Sequence, residues 1–338
     1  MKLNRNKFSA GFGAALLAGM ALAVGAGAGT AGATVTPAIT GSGSTLVAPL
    51  VNAWSTSLGG GITYGGGGSG KGITDISAGT VDFGATDAPM TADQKKACTN
   101  CVTIPVSLSA ITVAYNVPGI GSGLKLNAKV LASIYKGKIT NWNDAAIKAL
   151  NKKKTLPDLA ITPIHRLDGS GSTYAFTDFL KRSKSGWASV AALVAWPVGP
   201  GASGSGGVAN ALKTSGAIGY VGVDYAIPNK LTVAAVGNAA GNYVLPNQKA
   251  IRAGAAWIKK VPSDNVVHVV APPKTAKTAY PIDAPSYVIA KKGGANKAGV
   301  KQMIGFALGQ GLGLRQDIGF APLPKVIVTA SKKAAKKL

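Results

Sequence analysis

Glutamate is absent from this chain of 338 residues: all 12 acids are aspartates, set against 36 lysines and arginines, for a formal charge of +24. The metal cluster or matched acid–base pair that phosphoester hydrolysis needs therefore has little to draw on. Histidine is nearly as rare, with only His165 and His268. A zinc site on Cys98 and Cys101, the sole cysteines, would have to recruit both of these residues, which lie far apart in sequence. No metal, cofactor or catalytic residue is expected. Aromatic residues make up 6% of the chain, too few to interleave with the lysines as stacking platforms, so nucleic acid is not an expected partner. Long apolar runs are missing too. The run at 14–24 falls short of the roughly 20 residues a membrane span requires, and Gly, Pro or charge interrupts every later segment.

That short run has another reading. Lys2, Arg5 and Lys7 precede it and Ala31-Gly32-Ala33 follows it, the layout of a cleaved export signal over 1–33. No cysteine sits near the cleavage point, so a lipid anchor is not indicated. The remainder is expected to be soluble and exported, to the periplasm or the cell surface. In that compartment Cys98 and Cys101 are expected to close one small-loop disulfide. A redox pair would open a helix, whereas Cys101 leads into strand-like residues 102–106. The positive charge is mostly lysine and is spread along the chain; only Lys332, Lys333, Lys336 and Lys337 form a dense run, a basic tail over 331–338. Such a field concentrates small anions and favours contact with anionic surfaces.

Glycine is abundant, 46 residues in separate clusters. Between the clusters the apolar spacing alternates. It predicts helices over 45–58, 73–78, 127–135, 144–150, 174–181 and 298–308, and strands over 62–64, 81–84, 104–106, 111–115, 161–165, 216–221 and 282–290. Alternation of this kind implies α/β layers with a parallel-rich sheet, whose ligands sit at the carboxyl ends of strands. Three glycine–serine loops, 41–45, 65–72 and 169–173, fall at such positions, each ahead of an expected helix. Unpaired N–H groups and the positive end of a helix make an anion site there, and the hydroxyls add donors. Capping for stability alone is the plainer use of any one loop. The stretch 65–72 nearly matches a P-loop, but Gly72 stands where a Ser or Thr would hold magnesium, so a nucleotide role is not expected.

Two further clusters carry charge. Asp82 and Asp87 lie five residues apart across a strand end; Asp82 reads as a cap or a buried partner, and Asp87 precedes Ala88-Pro89 in an extended or turn conformation. Arg166 stands beside Asp168 and a glycine turn. Its guanidinium fork suits a tetrahedral oxyanion, with a surface ion pair to Asp168 as the alternative.

Gly41-Ser42-Gly43-Ser44-Thr45, the stretches 64–72 and 81–89, and His165-Arg166-Leu167-Asp168-Gly169-Ser170-Gly171-Ser172 together resemble the phosphate-binding protein of bacterial phosphate ABC transporters. Segments 134–142, 216–220 and 280–282 fit as well, so the resemblance runs in order from about Gly41 to Leu323. It implies an α/β, two-lobe periplasmic binding protein of type II with a ligand cleft between the lobes. One lobe would comprise 34–116 and 286–330, the other 117–285. It also implies a monomer that captures inorganic phosphate without chemistry and hands it to ABC permease subunits at the membrane. Carried over by motif, Thr45 would donate through its hydroxyl, Leu46 through its backbone N–H, and Ser69 from the glycine turn. Arg166 would grip a phosphate edge, held by Asp168. Ser170, Gly171 and Ser172 would supply donors at a helix start, and Asp87 would be the lone acceptor. The family often has an aromatic where Leu46 stands, Ser-Ser-Gly-Gly where 69–72 reads Ser-Gly-Lys-Gly, and Thr where Ser172 stands.

An aspartate beside an anion makes sense once protons are counted. Phosphate near neutral pH keeps a P–OH that Asp87 can accept, whereas sulfate would face it with repulsion and an unmet acceptor. Two rivals use the same features differently: a secreted phosphatase, and a basic cell-surface protein that binds polyanions.

Overall fold

The computed structural model describes residues 38–338; the expected export signal lies outside the described residues. Strands and helices alternate as the spacing implies. The strands are β1 (Ile39–Gly43), β2 (Ile62–Gly65), β3 (Phe83–Thr86), β4 (Cys101–Tyr115), β5 (Lys125–Leu126) and β6 (Thr162–Arg166). They continue with β7 (Gly201–Ala202), β8 (Ala217–Gly222), β9 (Thr232–Val233), β10 (Ala235–Gly237), β11 (Tyr243–Val244) and β12 (Asp283–Lys291). Around them pack α1 (Ala48–Ser57), α2 (Ser69–Ala78), α3 (Ala92–Ala97), α4 (Ala128–Tyr135), α5 (Ala145–Leu150) and α6 (Gly171–Arg182). The later helices are α7 (Gly204–Ala211), α8 (Val223–Ala226), α9 (Gln248–Ala256), α10 (Lys297–Ala307) and α11 (Lys325–Ala335).

The main sheet runs in the order β2-β1-β3-β12-β4-β8-β6-β7, with β9 also on β4. Its two halves share β4, a single strand of 15 residues. Residues 101–110 of β4 pair antiparallel with β12, and residues 111–115 pair antiparallel with β8. The change of partner falls at Ala110 and Ile111, where the Ile111 N–H donates to the Ile282 carbonyl at 2.8 Å. In the first half β1 lies parallel to β2 and β3; in the second β6 lies parallel to β7 and β8. The carboxyl ends of β1, β2 and β6 therefore run into the loops that open α1, α2 and α6, and the carboxyl end of β3 leads to Asp87. The expected strands at 104–106 and 111–115 are thus one strand, because uninterrupted apolar alternation carries β4 through Ser107 and Ser109.

Side-chain caps fix several helix starts. Ser170 accepts from Thr173 N–H at 3.3 Å, Asn127 from Val130 N–H and Asn247 from Ala250 N–H, the standard use of Ser and Asn before a first turn. The expected glycine turn over 65–72 is shorter than its composition implies. Gly67 and Gly68 take left-handed conformations (φ 123° and 94°), and α2 then begins at Ser69. Residues 331–338, expected as a basic tail, continue and end α11. That helix is amphipathic: Ile327, Ser331 and Ala334 face inward, and the Ser331 hydroxyl donates to the Pro105 carbonyl of β4 at 2.8 Å, while Lys332, Lys333, Lys336 and Lys337 stay exposed. Cys98 and Cys101 form the expected disulfide.

Candidate functional site

The three glycine–serine loops follow β1, β2 and β6 and meet around Asp87 at the carboxyl end of β3. Close backbone packing brings them together. The Gly70 N–H donates to the Gly169 carbonyl at 2.8 Å, and a side-chain carbon on Gly171 would lie 2.5 Å from Asp87 Cβ. Glycine serves here as a spacer of zero width.

Asp87 sits at the centre, 4% exposed. Ser286 donates to its Oδ1 at 2.7 Å, and Ser44 and Ser69 donate to its Oδ2 at 2.5 and 3.5 Å. The Ser69 hydroxyl in turn accepts from Asp87 N–H at 3.0 Å and from Gly171 N–H at 3.1 Å, so it stitches α2, β3 and α6 at one atom. Burial pushes the Asp87 carboxyl up from its ordinary range; the three hydroxyls and the charge of Arg166 pull against that without overcoming it. The result is a buried carboxyl with an enhanced appetite for a proton.

A second network adjoins the first. Arg166, 3% exposed, is held in a two-point ion pair by Asp168: its Nε donates to Oδ1 at 2.7 Å and its Nη2 to Oδ2. Asp168 Oδ1 also accepts from Gly204 N–H at 2.9 Å. Burial works to raise the Asp168 carboxyl, but the hydrogen bond and charge of Arg166, with the Gly204 amide, leave it lowered. It stays ionised. The Arg166 Nη1 donates to Ser205 Oγ at 3.4 Å, and Ser205 shares a 2.8 Å hydrogen bond with the Thr45 hydroxyl. Below, the Tyr220 hydroxyl accepts from Arg166 N–H at 3.0 Å and pairs with Thr173 at 2.8 Å, within an aromatic cluster in which Phe176 stacks on Tyr220. The guanidinium is thus fixed at its backbone and at its tip.

Every expected site residue is accounted for. Asp87, Ser69 and Gly171 are directly connected; Thr45, Arg166 and Asp168 share the adjoining network; and Arg166 lies close enough for its charge to act on Asp87. Ser170 acts as the cap of α6, while the buried Ser172 hydroxyl has no hydrogen-bond partner among the described residues. The Leu46 N–H donates to Ser44 Oγ at 3.1 Å. Asp82 takes its structural reading, accepting from Thr40 N–H at 2.7 Å and from Asn296 at 2.9 Å. Ser44, Ser205, Ser286 and Tyr220 were not singled out in the sequence. Ser44 lies inside the quoted 41–45 motif, but Ser205 and Ser286 reach the site only through tertiary folding, and no local pattern marks them.

A family model for the PBP superfamily domain matches residues 28–310. The phosphate-binding protein PstS of Pasteurella multocida is 34% identical over 305 residues, covering 86% of this chain and 87% of that protein. Its counterpart in Haemophilus influenzae is 33% identical, covering 87% and 91%. The chain belongs to the PstS family. Solved structures agree with the family fold. A periplasmic phosphate-binding protein, PfluDING, bound with phosphate, overlays with a TM-score of 0.71 at 22% identity, covering 87% of this chain and 93% of that one. A phosphate-binding protein from Stenotrophomonas maltophilia overlays at 0.68 and 20% identity, covering 88% and 93%. The architecture is the two-lobe periplasmic binding protein, α/β throughout, as PstS-family membership implies. Among the described residues no helix is long and apolar enough to cross a membrane, and no group of three or more His, Cys or Asp is placed to hold a metal ion.

Proposed function

We propose that this PstS-family chain is exported, captures inorganic phosphate between its lobes, and delivers it to the permease of an ABC importer. One observation carries the reading: loops from both halves of the sheet converge on a buried carboxyl with a raised proton affinity, beside a buried, doubly anchored arginine. Arg166 would grip one phosphate edge. The hydroxyls of Thr45, Ser69, Ser170 and Ser172 would donate to the remaining oxygens, and the Leu46 and Gly171 amides would exchange Ser44 and Ser69 for the ligand. Ser172 supports this directly, since a buried hydroxyl without an acceptor is one that a ligand can satisfy. Asp87 would take the proton that phosphate keeps and sulfate lacks. The lobes would divide where β4 changes partner, near Ala110 and Asp283, and closure would be the state that a permease reads. The protein would act as a monomer, by binding alone.

Isothermal titration with phosphate, arsenate and sulfate tests the reading. Saturable heat is expected from phosphate and arsenate, and none from sulfate at the same concentrations. Equal binding of sulfate and phosphate would defeat it, as would phosphate binding that collapses with added salt in the manner of a polyanion surface.

A further inference from the structure

Beside the anion site the fold buries a second carboxyl group that the hydroxyl networks do not reach. Asp224 lies in the first turn of α8, two residues past the point where Gly222 of β8 pairs with Ile111 of β4. It is 2% exposed, and among the described residues neither of its carboxyl oxygens has a hydrogen-bond partner. The group is tightly enclosed. A side-chain carbon on Gly222 would fall 2.1 Å from Asp224 Oδ1 and 2.3 Å from Leu46 Cδ1, so the carboxyl packs beside Leu46, the chain neighbour of Thr45.

A charged carboxylate in that position, with only the backbone N–H groups of Asp224 and Tyr225 near it and no geometric hydrogen bond from either, carries a heavy desolvation cost. Burial pushes the carboxyl well up from its ordinary range, and the negative charge of Asp87 across the site adds to the shift. The backbone N–H groups of Asp224 and Tyr225 pull the other way without overcoming burial, and so does Arg315, whose guanidinium is already hydrogen-bonded to Asp317 at 3.2 and 3.4 Å. The other titratable neighbours are Tyr225 on α8 and Tyr220 at β8, both raised by burial and both neutral. The helix α7, which also packs on α8, has no titratable side chain.

We propose that Asp224 is a second acid of the anion site, neutral while the ligand is held, and that capture of the anion weakens when it ionises. This rests on the phosphate reading above and gives the two carboxyls opposite tasks. Asp87 accepts a proton from the ligand, whereas Asp224 must keep its own. Once ionised, Asp224 adds a negative charge beside Asp87 and the bound anion. Because a bound anion strengthens the hold of Asp224 on its proton, binding above its ligand-free pKa takes up one proton. Affinity then falls by up to about tenfold per pH unit across that window.

Asp224→Asn copies the neutral carboxyl in shape and charge. Titration of inorganic phosphate into parent and variant, from neutral to alkaline pH, gives an affinity ratio in which the ionisation of phosphate itself cancels. The expected ratio is near one at neutral pH and moves tenfold or more in favour of the variant as pH rises. Infrared difference spectra of the ligand-free proteins supply a second readout: a protonated-carboxyl band present in the parent, absent from the variant, and lost at alkaline pH. Parallel affinity profiles overturn the proposal, and so does a parent without that band. Absence of phosphate binding in the parent at every pH overturns the phosphate reading instead, while the infrared band still decides the charge on Asp224.

Discussion

In the proposed function, the fate of a single proton at Asp87 would carry the selectivity. Its two oxygens already accept from Ser286, Ser44 and Ser69, which leaves a carboxyl able to take one more hydrogen but unable to offer any. Asp87→Asn converts that acceptor to a donor with little change of shape. We expect sulfate affinity to rise by about tenfold to a hundredfold, the range set by a buried polar mismatch of ~1–3 kcal/mol. Competition calorimetry between sulfate and phosphate measures it, and unchanged exclusion of sulfate would refute this role for Asp87. At this scale the sequence was informative wherever chemistry was local. Arg166 and Asp168 are two residues apart, and the glycine beside them announced a turn. Ser205 and Ser286 were invisible for the opposite reason. Each is an ordinary serine whose partner lies 160 or 199 residues away, and only the folded sheet places them.

Helix starts were the least legible elements, and α2 shows why. Composition alone assigns 65–72 to a turn, since glycine disfavours helix. In the fold Gly72 is helical because no other residue fits: a side-chain carbon there would lie 2.6 Å from the Ala85 carbonyl oxygen and 2.8 Å from Gly43 Cα. Tight contact between α2, β1 and β3 overrides propensity. Gly72→Ala should therefore destabilise the protein by about 1–3 kcal/mol, although alanine is the better helix former. A urea midpoint at or above that of the parent would show that the backbones can part without cost. The C-terminal helix errs in the other direction. Its four lysines read as a solvated tail, but Ile327, Ser331 and Ala334 recur at helical spacing and hold it on β4. The charge run hid the periodicity beneath it.

Across the whole molecule, alternation of strands and helices was enough to reach the α/β class, whereas the point where the sheet changes partner was not visible in the pattern. Asp283 marks that point. It pairs with Ala110, is fully buried, and among the described residues has no hydrogen-bond partner for either carboxyl oxygen. Burial raises its carboxyl well above the ordinary range. The native state therefore binds a proton that the unfolded chain releases. Stability should fall as pH rises from the ordinary carboxylate range toward the native value, and level off beyond it. Asp283→Asn should remove that part of the decline. Thermal melting of both proteins over this window checks the sign, and parallel slopes would exclude Asp283 as the source.

The continuity of β4 reaches beyond the binding cleft. Because one ribbon supplies an inner strand to each half of the sheet, neither half owns a complete hydrophobic layer, and severing the chain between Ala110 and Ile111 would leave both fragments with a raw edge. In the proposed function, opening would twist a shared backbone and would not require the two halves to become independent bodies, and denaturation should take them down together.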